Sequence, residues 1–235
     1  GVIAARPSVG KSTLLMQMAA AAAKESGQWA LFVSLEMSDV ALVTRMAASI
    51  SGIDGTALQE GRLSSADWTA LARAEEHMAG VPVVFATLYP PTPAKLAAAV
   101  KANTRKYGEL ASITVDYLQR MRGDGNYGGR REQEVADISR ALKDVADRQG
   151  VPVVVAASTN RKGEDRPDKR PQMADLRECG AIEYDADAIV MLYRENDDAT
   201  LTEAIVRKSR HGSTGTAYAV FDGPHYRFLS AAREE

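Results

Sequence analysis

The sequence predicts an α/β fold, a doubly wound and mostly parallel sheet with helices on both faces and a C-terminal antiparallel hairpin extension. Three observations predict it. Runs of β-branched residues recur as continuous rather than alternating stretches, as strands buried on both faces read. Helical stretches separate them, and strand–helix alternation implies right-handed crossovers within one sheet. After Tyr193 the pattern changes to short strands joined by turn residues.

The strand runs, in order, are Val2-Ile3, Ala30-Leu31-Phe32-Val33, Val83-Val84-Phe85, Ile113-Thr114-Val115, Val153-Val154-Val155 and Ile189-Val190-Met191-Leu192. Helices are expected over 11–24, 40–51, 64–78, 93–107 and 130–149. The last is the clearest, because Val135, Ile138, Leu142, Val145 and Gln149 follow three-and-four spacing while Asp137, Arg140, Lys143, Asp144 and Arg148 fall largely on other faces. Beyond Tyr193, residues 203–208, 216–221 and 226–229 read as strands linked by His211-Gly212-Ser213 and Gly223-Pro224, an antiparallel appendix. Loops are expected at the glycine-rich 123–129 and at 161–171, dense in charge and proline. Internal repeats and coiled-coil heptads are absent from the sequence.

Length and composition bound the rest. A chain of 235 residues supports one domain over 1–235 with a buried core. The net charge of −2 means that any nucleic-acid contact must come from a local basic surface. Cys179 is the only cysteine, which excludes an intrachain disulfide and gives no zinc pattern, so a reducing, cytoplasmic setting is expected. No apolar run reaches the roughly 18 residues that span a bilayer, and membrane partners are not expected.

The residues that carry chemistry begin at Ala5-Arg6-Pro7-Ser8-Val9-Gly10-Lys11-Ser12, followed by Thr13, between a β run and an amphipathic helix. This is the context of a phosphate-binding loop. Backbone N–H groups and the helix N-terminus surround the phosphates, Lys11 reaches the outer ones, and Ser12 ligates Mg²⁺. The loop departs from the usual pattern in having Ala5 where the first glycine belongs. Asp116 ends a strand run, where a carboxylate is delivered to the nucleotide crevice, and is the expected partner of Mg²⁺. Glu36 also follows a strand and could polarise the attacking water, although alone it also reads as a helix N-terminal charge. Only a few residues precede the loop, so an upstream domain and linker are expected. His77, His225, Met16 and Met18 read as surface or core residues rather than ligands.

Together these residues resemble the DnaB-type replicative helicases over nearly the whole chain. In that family alanine commonly replaces the first glycine of the loop. Ser34-Leu35-Glu36-Met37-Ser38 is similar to the segment of the catalytic glutamate, and Asp116-Tyr117-Leu118-Gln119 to that of the Mg²⁺-site aspartate. Arg131-Glu132-Gln133-Glu134-Val135, Asp168-Lys169-Arg170-Pro171, Asp175-Leu176-Arg177-Glu178, Gly180-Ala181-Ile182-Glu183 and Asp185-Ala186-Asp187 follow in matching order. The resemblance implies a RecA-like P-loop NTPase fold, binding of ATP with Mg²⁺, and ATP hydrolysis driving movement along single-stranded DNA. It implies a ring homo-oligomer, hexameric at full length, with Lys208 and Arg210 acting on the ATP of a neighbour, and primase and a helicase loader as candidate partners. For DNA it points to the loops 123–131 and 161–180, and within the second to Arg161, Arg177, Glu178 and Gly180, which would hold the phosphate backbone without reading sequence. In that second loop Arg161, Lys162, Arg166, Lys169, Arg170 and Arg177 alternate with Glu164, Asp165, Asp168, Asp175 and Glu178, so a merely solvated loop competes with the DNA reading.

One position departs from the family in a way that bears on function. Ser158 stands where a glutamine that senses the terminal phosphate is expected, and a hydroxyl could reach that phosphate only through water. This keeps a second class of reading open, a helicase-derived ATP-binding assembly or regulatory protein that does not unwind DNA. A recombinase-type or clock-type relative fits less well, because the similarity from Arg131 to Asp187 is so long.

Overall fold

The computed structural model describes residues 1–160, 166–176, 180–196 and 198–231. Six parallel strands alternate with helices: β1 (Val2–Ala5), α1 (Lys11–Ser26), β2 (Trp29–Ser34), α2 (Asp39–Ser51), α3 (Gly55–Glu60), α4 (Ser65–Ala79), β3 (Val83–Thr87), α5 (Pro93–Tyr107), β4 (Leu110–Asp116), α6 (Arg131–Gln149), β5 (Val153–Ser158), α7 (Gly180–Asp185) and β6 (Ala188–Tyr193). Antiparallel β7 (Leu201–Ser209), β8 (Gly215–Asp222) and β9 (Arg227–Ser230) follow. The sheet order is β3-β2-β4-β5-β1-β6-β7-β8-β9. β1 is paired in parallel with β5 and β6, Ala5 lying opposite Ser158 and Val2 opposite Ile189.

The continuous apolar strands do separate two cores. Along β1, Val2 and Ala4 pack with Val135, Ile138 and Leu142 of α6, whereas Ile3 and Ala5 pack with Leu15, Met16 and Ala19 of α1. β2 divides in the same way, Leu31 and Val33 to one layer and Ala30 and Phe32 to the other. Burial on both faces is what a parallel sheet covered by crossover helices requires. It also fixes the loops at the C-terminal strand ends, where ligands of such sheets bind.

Two points differ from the sequence reading. Gln149 is exposed rather than part of the α6 stripe, which ends at Val145. α3 was not foreseen. It is a six-residue helix capped by the Asp54 carboxylate and stopped by Gly61 in the left-handed region, too short to show periodicity. The C-terminal strands form the expected antiparallel extension, β7 pairing with β6 so that the sheet runs on unbroken. β9 is docked on α1 by Gln17, whose side chain donates to Phe228 O at 3.1 Å and accepts from Phe228 N at 2.7 Å. Among the described residues no helix is long and apolar enough to cross a membrane.

Candidate nucleotide site

At the C-terminal end of β1 the chain turns through Arg6 to Gly10 into α1. Ala5 is still in the strand, opposite Ser158, and does not take a positive φ. The left-handed positions are Ser8, at φ 65°, and Gly10, at φ 105°. A glycine is therefore not needed at residue 5. Gly10 is needed twice over, since a Cβ there would also lie 2.8 Å from the Phe228 ring. α1 begins with no side-chain cap and no acidic residue in its first turn, leaving its N–H groups and positive dipole end open to an anion.

Pro7, Ser8, Gly10, Lys11, Ser12 and Thr13 line a cavity of about 610 Å³ together with Glu36, Asp116 and Ser158. Ala5, Arg6 and Val9 are not among its lining residues. Ala5 and Arg6 instead offer their carbonyls to Lys11 Nζ at 2.9 and 2.8 Å, and Val9 is buried in the core. Burial pushes the Lys11 ammonium down to about 8, against the pull of Asp116 and Glu36. Asp116, only 3% exposed, is moved the other way by burial, although the Ser12 hydroxyl bonds to it and Lys11 stands close. A carboxylate so buried is not a loop cap. With the Ser12 hydroxyl it forms an oxygen pair of the kind that Mg²⁺ takes when phosphates and water complete its shell. The pair fits that ion.

Glu36 sits on a turn held by Ser34. The buried Ser34 hydroxyl donates to Met37 O at 2.7 Å and accepts from Met37 N at 2.9 Å. α2 starts only at Asp39, with Ser38 as its cap, so Glu36 is not a helix N-terminal charge. Its carboxylate is half exposed on the cavity wall, 3.6 Å from Arg120.

Four lining residues were missed in the sequence: Arg45, Phe221, Gly223 and Tyr226. Arg45 lies over the Tyr226 ring, 4.8 Å from its centre, and brings a second cation to the cavity. An arginine inside the apolar stretch of α2 was the available signal. Phe221 lies near the end of β8, and Gly223 and Tyr226 lie in the β8–β9 turn, which the Gly55 N–H to Pro224 O bond of 2.8 Å ties to α3. Arg194, at the end of β6, supports the loop from behind, donating to Ser8 O at 2.9 Å and stacking on Phe221.

The remaining candidates lie elsewhere. Lys208 and Arg210 are at the far end of the sheet: Ser209 pairs with Ala188, where β6 starts, whereas the phosphate loop leaves β1 at its end. Lys208 donates to the Glu183 and Tyr184 carbonyls, and Arg210 pairs with Asp187 at 2.8 Å. Neither reaches the cavity of its own chain. Arg161, Arg177 and Glu178 lie outside the described residues. Gly180 opens α7 and is exposed. Two other cations of that region are engaged, Arg166 with buried Asp175 and Arg170 with Glu203 through two bonds. A second hollow of about 560 Å³ at the opposite end of the sheet is mainly apolar, and its Lys143 is paired with Asp147 and Asp187. The first cavity is therefore the candidate site.

A parallel sheet with this loop, a buried aspartate at the end of β4, two strands away, and a glutamate after the adjacent β2 defines a P-loop nucleotide-binding fold of the RecA-like type. The model of the DnaB-like helicase C terminal domain matches residues 1–230, and the chain belongs to that family. It is 34% identical to the replicative DNA helicase DnaB of Geobacillus stearothermophilus over 99% of this chain and 52% of the relative. It is 37% identical to the DnaB of Pasteurella multocida over 99% of this chain and 51% of the relative. The chain thus spans about half the length of the curated relatives it matches. Among solved structures it superposes on a DnaB-like replicative helicase studied for its interactions with primase, with TM-score 0.89, 27% identity, and 98% of this chain and 57% of that one covered. On a second solved structure, an isolated ATPase domain, the TM-score is 0.88, at 27% identity over 98% of this chain and 84% of that one.

Proposed function

We propose that the chain is the ATP-hydrolysing motor of a replicative DNA helicase, a ring that moves along single-stranded DNA. The observation that carries this is the cavity itself, where Lys11, Ser12, Asp116 and Glu36 converge on an open helix N-terminus in a chain of the DnaB family.

In this reading ATP lies with its phosphates against the loop. The loop N–H groups, the α1 dipole and Lys11 oppose the charge on the outer phosphates. Ser12, and Asp116 through water, would hold Mg²⁺, whose charge would offset that of the phosphates. Glu36 orients a water for attack on the γ-phosphate and accepts its proton, while the bond to the β–γ bridging oxygen breaks and ADP leaves. Arg45 adds positive charge on the same wall.

Lys208 and Arg210 would serve the next chain of the ring. Their position at the end of the sheet remote from their own phosphate loop supports this, since a cation that acts across an interface must leave its own site. They would exchange Asp187 and backbone carbonyls for phosphate. DNA would run past the 123–131 loop and the 161–180 region, with Arg161, Arg177, Glu178 and Gly180 on its backbone. A cytoplasmic setting, a hexameric ring, and primase and loader partners accompany this reading.

The test is ATP turnover with and without single-stranded DNA, together with displacement of a labelled strand. Stimulation by DNA and displacement are expected. Turnover indifferent to DNA, with no displacement, would instead favour an ATP-binding assembly or regulatory protein.

A further inference from the structure

The cavity and the glycine-rich loop are joined by an unbroken chain of hydrogen bonds. Ser158 lines the cavity at the end of β5. The Gln119 side chain clamps the backbone of that residue, its Oε1 accepting from Ser158 N at 3.1 Å and its Nε2 donating to Ser158 O at 3.5 Å. Gln119 O in turn accepts from Arg131 Nη2 at 3.0 Å. Arg131 Nη1 donates to Met121 O at 3.1 Å and pairs with Glu134 at 2.7 Å. The other Glu134 oxygen accepts from Gly123 N at 2.9 Å, at the first residue of the loop. The residue after Gln119 is Arg120, which faces Glu36. The short 3-10 turn Leu118–Arg120 therefore touches both the β5 end and the carboxylate of the cavity.

We propose that Gln119 is a positioning residue that couples the nucleotide cavity to the 123–129 loop, making the connection that the short Ser158 side chain cannot. This rests on reading that loop as facing DNA. The physical basis is that Gln119 grips the backbone of residue 158 and not its side chain. Any displacement of the β5 end when nucleotide fills the cavity then passes to Gln119, and through the Arg131 guanidinium to two carbonyls of the turn and to the loop. Arg131 suits this role because its planar fork serves several acceptors at once. The elements are rigid at both ends: β5 is central in the sheet, and α6 is anchored by Val135 and Ile138 in the core. Coupling between sites requires a contiguous element that both can bias, and the demonstration is energetic.

The experiment compares ATP turnover by the protein, by Gln119→Met and by Gln119→Ala, each with and without a single-stranded oligonucleotide, alongside thermal midpoint and nucleotide affinity. Methionine keeps the volume of the side chain and removes the clamp. The expected result is unchanged DNA-free turnover and nucleotide affinity in Gln119→Met, with stimulation by DNA reduced about three- to thirtyfold. Adding Ser158→Gln to Gln119→Met should return part of that stimulation. If Gln119→Met is stimulated as strongly as the parent, the inference is wrong. A fall in turnover equal with and without DNA, tracking the thermal midpoint, also overturns it, since Gln119 would then be merely structural. If the parent itself ignores DNA, the reading of the loop fails first and takes this inference with it.

Discussion

Lys11 is half-buried among carbonyls and loop backbone, and this desolvation pushes its ammonium down to about 8. Phosphates restore the charge, so its pKa in the nucleotide complex lies higher than in the free protein. Affinity for nucleotide is then full below about 8 and is lost as pH rises from there toward the complex's pKa, by up to about tenfold per pH unit. Calorimetry in two buffers of different ionisation enthalpy should show proton uptake on binding near pH 9 and none near pH 6.5. Gly10 is the other decisive residue. Gly10→Ala places a Cβ in the left-handed region and against Phe228, and should cost about 1–3 kcal/mol of stability and abolish tight nucleotide binding, read by thermal midpoint and titration. Lys11 and Ser12 were legible in the sequence from the phosphate-loop spacing, and Asp116 and Glu36 because each stands at or just past the end of a strand. Arg45 and Tyr226 were not, because what brings them to the cavity is the packing of α2, α3 and the β8–β9 turn.

At the scale of elements, α6 shows what periodicity can and cannot say. Val135, Ile138, Leu142 and Val145 face the core as their spacing required, and Ser139 joins them unannounced. Gln149 fits the same arithmetic but is the last residue of the helix, next to the Gly150 cap, and is exposed. Ile138→Ala should lower stability by about 2–5 kcal/mol by leaving a cavity, while Gln149→Ala should stay within about 0.5 kcal/mol, both from urea midpoints. The long strands and helices were readable because burial on both faces leaves apolar runs. α3 was unreadable, being a single capped turn and a half whose reason to exist is its contact with the Pro224–Tyr226 turn.

At the scale of the molecule, one sheet carries the phosphate loop at one end and Lys208 with Arg210 at the other. In the proposed ring these ends would meet between neighbours. Arg210→Ala and Lys11→Ala should each be inactive alone and recover part of the ATPase activity when mixed, because some interfaces then combine an intact loop with an intact arginine. Sequence could place the two cations on a hairpin, but only the register of β7 on β6 shows how far they stand from their own cavity. Central to the whole account is that Glu36 serves ATP hydrolysis at the cavity built by Lys11, Ser12 and Asp116. The most direct measurement is ATP turnover and nucleotide affinity for Glu36→Gln beside the parent protein. Turnover should fall by about 10²- to 10⁴-fold with affinity retained. Turnover equal to the parent's would contradict the assignment.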